Sequence, residues 1–539
     1  MKPTLHYTPA LLLGTFVAGA TLPLLGATSA VPGKAPRPNI VFILTDDQNK
    51  NTVGCYERLV STPHIDALAA NGVKFNNANV VTTVSSPSRY TLLTGRYYNS
   101  NYSPEFLQQY PPGTVSCVNN DIYLEKDGNN VAGKLQKVGY TTGFVGKLHL
   151  LHHELLGSKV AQKWKEAGLK TYPEDSDPRI DKATDEAMHF NHRWWCEELR
   201  PYGFDYVNGF YAANLRELFN TFANTHNVEW SMDAALKFLD AQKGSEKPFL
   251  LWMCTTYPHG PAPQQLVKGK FVSSLDADPV VTGEGCRWDL AGETEARKEI
   301  VAQYGKMLQE NPKTPTTAAP ALWWDSVVGR VVAKLREMGV EENTLIVYIS
   351  DHGVVNGGKT SLYEDGNCVP MVMQWKAGLP QGVEYDHVVG SIDLAPTFME
   401  LAGVDMKKAR VDGVSLLPMF KDVKKPIRDA LLLEIGYARA IKTDEYKYIA
   451  VRYPEKPLTK VAEKGTNKYY YMMHGQLCER SAAQRPNYFM ADQMYDYRTD
   501  PAEANNLYGQ DAKRDEKYRA LLTREVKRYS NRKFGEFNK

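Results

Sequence analysis

The chain has 539 residues, 43% of them hydrophobic and 23% charged, with a formal net charge of +2. That length supports a sizeable core and predicts two domains, and the composition is that of a soluble globular protein. A charge so close to balance excludes a whole-molecule field that collects nucleic acid, while leaving room for a local basic pocket.

Residues 1–30 read as a targeting signal. Lys2 and His6 precede the apolar run "ALLLGTFVAGATLPLLGATSA", which ends in small residues, the order of a secretory peptide cleaved after Ala30. Glycines and Pro23 interrupt the run, which argues against an uncleaved anchor, so no membrane span is expected after signal removal. Export permits disulfides, but the seven cysteines (Cys55, Cys117, Cys196, Cys254, Cys286, Cys368 and Cys478) are scattered and contain no CxxC pair. They form neither a disulfide framework nor a thiolate metal site. One or two bridges are compatible with them, and an odd number leaves at least one thiol without an intramolecular bridge.

After the linker, "NIVFILTDDQ" contains a continuous apolar run rich in β-branched residues that reads as a strand buried on both faces and ends at Asp46-Asp47. "STPHIDALAANG" predicts a helix with Thr62 as N-cap, Pro63 at its first position and Asn71-Gly72 as its stop. "VSSPSRYTLLTGR" (84–96) predicts the cap and first turn of a helix beginning near Ser86. Further strands running into loops are predicted in 140–150, 247–261 and 343–353, the last preceded by a helix over 325–339. A capped helix is predicted over 391–403. The stretch 155–240 holds helix-like pieces without clean ends, and 262–300 reads as loop. Strands alternating with helices predict an α/β domain over 31–424 with a large, mostly parallel sheet flanked by helices. From 425 to 539 short strands joined by tight turns and a final helix over 515–529 predict a smaller α+β domain.

Chemistry-bearing residues gather at the predicted strand ends: Asp46 and Asp47, Lys147 and His149, His259, then Asp351 and His352. In an open α/β sheet the crevice beyond the carboxyl ends of the strands is where ligands bind. Read singly, each has a plainer explanation, since Asp caps helices and a strand-end His often fills core or surface. Together they point to one site. Three carboxylates brought close repel unless a cation joins them, and oxygen donors without thiolates favour a hard divalent ion such as calcium, magnesium or manganese. In 84–96, a helix N-terminus with Arg89 one turn in makes an anion site with Ser85 at its mouth; a well-capped helix with a solvent arginine reads equally well from that stretch alone.

Ser85-Ser86-Pro87-Ser88-Arg89 through Leu93-Thr94-Gly95-Arg96 resembles the signature of the type I sulfatases, of the alkaline-phosphatase-like superfamily. "NIVFILTDDQ" resembles that family's first strand and metal loop. "GFVGKLHL" resembles its G-K-W-H-L element, with Leu148 in place of tryptophan. "YPHGP", "SDHGVVNGGKTSLYEDGNCVP" and "YDYRTDPAEANNL" resemble its histidine loop, second metal loop and C-terminal segment. The resemblance implies an alkaline-phosphatase-like fold and a sulfuric ester hydrolase. It also implies that Ser85 is oxidised to formylglycine, whose hydrate carries two geminal hydroxyls. One attacks sulfur to give a covalent sulfate hemiester, and the other loses its proton and expels sulfate. A plain serine hydroxyl is a weak nucleophile by comparison.

Matched residue by residue, the resemblance implies calcium held by Asp46, Asp47, Asp351, His352 and modified Ser85, with His352 standing where many relatives carry asparagine. Arg89 would orient the modified residue, Lys147 and Lys359 would bind sulfate oxygens, His259 would protonate the leaving oxygen and His149 would help deprotonate the second hydroxyl. The implied substrate is a sulfated glycan of glycosaminoglycan or mucin type. The serine form resembles substrates of an anaerobic sulfatase-maturing enzyme, which implies a periplasmic or cell-surface protein of a bacterium. Two other functions fit the same residues: a metal-dependent phosphatase or phosphonate hydrolase using unmodified Ser85, and a non-catalytic binder of sulfated glycans. The aromatic-rich stretches 191–206 and 469–488 offer sugar-stacking surfaces or ordinary core.

Overall fold

The computed structural model describes residues 37–538 apart from 58–59, 158–159, 225, 261–265, 268–269, 272–290, 315–317, 354–357, 455–460, 464–465, 469 and 473–474. The expected signal peptide over 1–30, Cys286 and most of the expected loop over 262–300 therefore lie outside the described residues.

An eight-stranded sheet forms the centre. Its strands are β1 (Asn39–Thr45), β2 (Val73–Phe75), β3 (Thr141–Lys147), β4 (Tyr206–Tyr211), β5 (Phe249–Cys254), β6 (Thr344–Ser350), β7 (Met371–Gln374) and β8 (Val383–Tyr385). Their spatial order is β8-β2-β7-β6-β1-β5-β3-β4. β7 runs antiparallel to both neighbours, and the other pairings are parallel. The principal helices are α1 (Pro63–Ala70), α2 (Ser85–Thr94), α3 (Lys182–Leu199), α4 (Val228–Gln242), α5 (Ala291–Glu310), α6 (Ala318–Glu337), α7 (Leu394–Leu401), α8 (Gly475–Gln484) and α9 (Ala512–Tyr529).

The unbroken apolar runs of β1, β5 and β6 are explained by burial on both faces. Ile40, Phe42 and Leu44 face a core with Leu250, Trp252, Val347 and, from α7, Leu394 and Phe398. Their alternates Val41 and Ile43 face a second core with Leu251, Met253, Phe238 of α4 and Trp324 and Val328 of α6. Each such side chain contributes on the order of 1.5–3 kcal/mol of hydrophobic stabilisation, so these strands are held in register by both layers.

The C-terminal region adds an antiparallel sheet in the order β9 (Leu431–Ile435), β10 (Ala438–Lys442), β11 (Lys447–Val451) and β12 (Asp492–Tyr495). Its core includes Tyr518, Leu522 and Val526 of α9 and also Val81, Val84, Tyr97, Leu362 and Tyr363 from the first part of the chain. Buried charges bind the same surfaces: Lys442 and Lys447 lie 2.7 and 2.9 Å from Glu364 Oε1, and Lys447 lies 2.7 Å from Glu503.

Four local expectations change. The helix expected from 325 starts at Ala318; Asp325 lies within it, and its carboxylate accepts from the backbone N–H groups of His64 (3.2 Å) and Ile65 (2.8 Å) at the start of α1. Within 262–300, residues from Ala291 onward are helical rather than loop, and Ile300, Val301, Tyr304, Met307 and Leu308 pack α5 on the core. The last helix starts at Ala512, capped by the Asp511 side chain. In α2, Val84 is the N-cap and Ser85 the first helical residue, with no side-chain cap. None of the six described cysteines is disulfide-bonded.

What matters for chemistry is where the strands end. Leu44 pairs with both Cys254 and Ile349, Thr45 with Ser350, and Gly146 with Cys254. The tips of β1, β3, β5 and β6 are therefore level. A register shift between Val145 and Gly146 precedes Lys147, and Gly146 has φ +93°. A Cβ there would sit 1.6 Å from the Cys254 carbonyl oxygen. Gly146→Ala is expected to cost about 2–4 kcal/mol, strain and overlap together. Gly113→Ala, at φ +78° with nothing within 4 Å of its Cβ position, is expected to cost only about 1 kcal/mol. Chemical denaturation of both variants checks the difference; equal losses would show that the close approach at Gly146 is unimportant.

Candidate active site

The level strand tips place Asp46, Asp47, Asp351 and His352 together, all buried, with one donor atom from each within 4.8 Å of the others. Backbone hydrogen bonds hold the tips: Asp351 N–H donates to the Thr45 carbonyl (3.0 Å), Gln48 N–H to that of His352 (3.1 Å), and Asp46 N–H to that of Tyr257 (2.7 Å). Asp47 has φ +62°, and two residues flanking the site, His149 and Thr360, have φ +63° and +66°. Non-glycine residues in this region carry strain, which concentrates at functional sites.

Each carboxylate meets a cation. Lys147 Nζ lies 2.5 Å from Asp46 Oδ2, Arg89 Nη2 lies 3.0 Å from Asp351 Oδ2, and Lys359 Nζ lies 2.9 Å from Asp47 Oδ1. Burial opposes ionisation of Asp46, but Lys147 and Arg89 outweigh it and hold the carboxyl well below its usual range. Asp47 is likewise lowered against its burial, by Lys359 and then His259. Asp351 goes the other way: burial and the neighbouring Asp46 charge raise it despite Arg89. It is the carboxylate least well compensated by the protein alone.

The segment 84–96 serves this cluster residue by residue. Ser85 Oγ is 3.0 Å from His352 Nε2 and 3.4 Å from Asp46 Oδ1. Ser88 Oγ donates to the Asp351 carbonyl at 2.5 Å, and Ser86 Oγ accepts from the Ile122 N–H at 3.3 Å. Arg89 is no solvent arginine: its Nε donates to Asp351 Oδ2 (3.0 Å) and its Nη1 to the Lys147 carbonyl (2.9 Å). Arg96 is turned away, buried against Glu125 at 2.6 Å.

His352 Nδ1 donates to the Gly353 carbonyl at 2.9 Å, which leaves Nε2 as the lone-pair nitrogen beside Ser85. His259 Nδ1 donates to the Gly260 carbonyl (2.9 Å), and its Nε2 stands 3.6 Å from Asp47 Oδ2. Burial lowers His259, and burial followed by Lys147 lowers His149 well below the usual range. His149 Nδ1 is buried without a hydrogen-bond partner among the described residues.

A cavity of about 430 Å³ opens onto these groups, lined by Asp47, Ser85, His149, His259 and Lys359, within the ~300–1,000 Å³ usual for small-ligand sites. The ten predicted site residues thus fall into one cluster and its cavity. Sequence reasoning missed the rest of the lining, including Asn120, Asn214, Leu215, Arg216, Asn224, Leu477 and Arg480. Asn214 accepts from Lys147 Nζ at 2.7 Å; it follows strand β4, so the strand-end rule applied to "YAANLREL" points to it. Much of the aromatic stretches is core: Trp195 is buried near Phe210, and Tyr471 stacks on Tyr488; none of their described rings lines this cavity.

Among the described residues, no helix is long and apolar enough to cross a membrane. Residues 38–404 match the family model described as Sulfatase. The N-acetylglucosamine-6-O-sulfatase of Bacteroides thetaiotaomicron is 23% identical over 584 aligned positions, covering 95% of this chain and 90% of that one. An ulvan-active sulfatase of Formosa agariphila is 26% identical, covering 90% and 78%. A solved structure of a protein in complex with its substrate D-glucosamine-2-N,6-O-disulfate shares the fold, with a TM-score of 0.57 at 19% identity over 92% of this chain and 98% of that one. The matched stretch contains every residue of the charged cluster at the strand tips, and the chain belongs to the sulfatase family.

Proposed function

We propose that this sulfatase removes sulfate from sulfated glycans, using formylglycine made from Ser85 and a calcium ion held by Asp46, Asp47, Asp351, His352 and the modified residue. The observation that carries the reading is the Ser85 hydroxyl, 3.0 Å from His352 Nε2 and 3.4 Å from Asp46, at the mouth of the cavity. The names of the B. thetaiotaomicron and F. agariphila relatives support a carbohydrate substrate. Export of the chain to the periplasm or cell surface, and its modification by a serine-type maturing enzyme, belong to the same reading.

The donor set fits a hard divalent ion. Three carboxylates and an imidazole without thiolates favour oxygen-binding metals. Charge balance agrees: three carboxylates face Arg89, Lys147 and Lys359, so a sulfate ester entering a metal-free site would add an uncompensated anion. When bound, the ion supplies fixed positive charge for the sulfate and for position 85. Formylglycine hydrate supplies two hydroxyls on one carbon, one for attack at sulfur and one for release of sulfate.

The other residues bind, orient and move protons. Lys147 and Lys359 offer ammonium groups to sulfate oxygens, Lys147 being aimed by Asn214 as well as Asp46. Arg89 fixes Asp351 and the Lys147 backbone, which holds the strand tips in place. His149, neutral because burial and Lys147 disfavour its cation, suits acceptance of the proton from the second hydroxyl. His259 has its Nδ1–H committed to Gly260, so it donates from Nε2 only as imidazolium. A sulfate anion bound beside it, together with Asp47, favours that form.

A second reading rests on the same 3.0 Å contact. An unmodified Ser85 hydroxyl beside His352 Nε2 and the three carboxylates that would hold a divalent ion also suits a metal-dependent phosphatase or phosphonate hydrolase. Coexpression with a serine-type maturing enzyme, followed by mass spectrometry and turnover assays, separates the two. The peptide spanning Ser85 is expected to lose two hydrogens, and only that form is expected to desulfate defined sugar sulfates, with Ser85→Ala slower by about 10³-fold or more. An intact serine with turnover of phosphate esters would establish the second reading.

The role of His259 predicts a dependence on the leaving group. His259→Ala is expected to lower kcat/KM on sugar sulfates by about 10²-fold, yet by less than about tenfold on nitrophenyl sulfate, whose phenolate departs without a proton. Equal losses on both substrates would show that His259 binds rather than protonates.

A further inference from the structure

Among the described residues, the rim of the cavity carries one cation that is neither paired with a carboxylate nor assigned to the scissile ester. Its fixed cations are Lys359, Arg216 and Arg480, against the single lining carboxylate Asp47. Lys359 is paired with Asp47 at 2.9 Å, and Arg216 with Glu217 at 3.0 Å. Arg480 is exposed and has no ion-pair or hydrogen-bond partner among the described residues.

The helix that presents Arg480 is firmly held. Ser481 Oγ, the next residue of α8, donates to the Lys359 carbonyl at 2.7 Å. Arg485, just beyond the helix, pairs with Asp365 and donates to the Ala502 carbonyl at 2.5 Å. Leu477, three positions earlier and so on the same face, lines the same cavity. The position of residue 480 is thereby tied to Lys359, and through it to Asp47 in the charged cluster. Helix α8 also lies outside residues 38–404, so Arg480 belongs to the part of the chain beyond the family match.

We propose that Arg480 recognises a second anionic group, a sulfate or a carboxylate, borne by the substrate near the ester that is cleaved. The proposal rests on the sulfated-glycan reading and narrows it to sugars carrying at least two negative groups. A guanidinium is well matched to such a group, because its fork of N–H donors meets two oxygens of either anion and it stays charged at any working pH. Its exposure keeps the contribution moderate and sensitive to salt.

The test compares matured wild type, Arg480→Ala and Arg480→Lys on substrate pairs that differ by one anionic group. One series sets N-acetylglucosamine 6-O-sulfate, whose nitrogen is neutral, against glucosamine-2-N,6-O-disulfate; the other sets sulfated disaccharides with a uronate against their neutral counterparts. The ratio of kcat/KM for the doubly charged member over the singly charged one is expected to fall about tenfold in Arg480→Ala. Arg480→Lys is expected to restore part of it, and high salt to bring the wild-type ratio toward that of Arg480→Ala. The series that shows the drop assigns the second anion as sulfate or carboxylate. The same ratio in all three proteins across every pair would overturn the proposal while leaving the sulfatase reading in place. If matured wild type cleaved no sulfate ester at all, the reading would fall and this inference with it.

Discussion

The molecule is organised around the mutual neutralisation of buried charges at the carboxyl ends of parallel strands. Asp46, Asp47 and Asp351 converge within a few ångströms in a site that water barely reaches. Left alone they would repel, and their desolvation would cost several kcal/mol each. Arg89, Lys147 and Lys359 offset that cost pairwise. These cations come from three separate places: a helix start, a strand end and a loop. The charged site can therefore form only when the sheet, α2 and the 359–365 loop are all in place.

Much of the remaining architecture keeps those pieces aligned. The apolar layers on the two faces of β1, β5 and β6 set the register that levels the strand tips. Ser88 and Arg89 of α2 reach Asp351 through its carbonyl and its carboxylate. The C-terminal sheet shares its core with the approach to α2 and with Leu362 and Tyr363, and its buried lysines grip Glu364, five residues beyond Lys359. Helix α8 holds the Lys359 carbonyl itself. The C-terminal region thus supports the Lys359 loop as well as lining the cavity.

The strand tips were legible in the sequence because two physical patterns coincide there: a short apolar strand, then a chemically distinctive residue. That pattern finds Asp46, Asp47, Lys147, His259, Asp351 and His352 without coordinates. Asn214 follows the same rule and escaped because β4 lies in 155–240, where the helix-like pieces have no clean ends. Leu477, Arg480 and Ser481 carried no such signal. Their part in the cavity depends on α8 docking against Lys359, more than a hundred residues earlier in the chain, and no local pattern encodes that contact. The aromatic stretches show the converse: none of their described rings lines the cavity, and Leu477 and Arg480 of the second stretch do.

The proposed chemistry stands or falls on a divalent ion shared by the strand tips and position 85. Crystals of the protein equilibrated with calcium, and separately with manganese, give anomalous difference maps that locate such an ion directly. One peak is predicted, in both maps, between Asp46, Asp47, Asp351 and His352 and in contact with residue 85. Maps with no peak among those four side chains, or with the only ordered ion elsewhere in the chain, would contradict it.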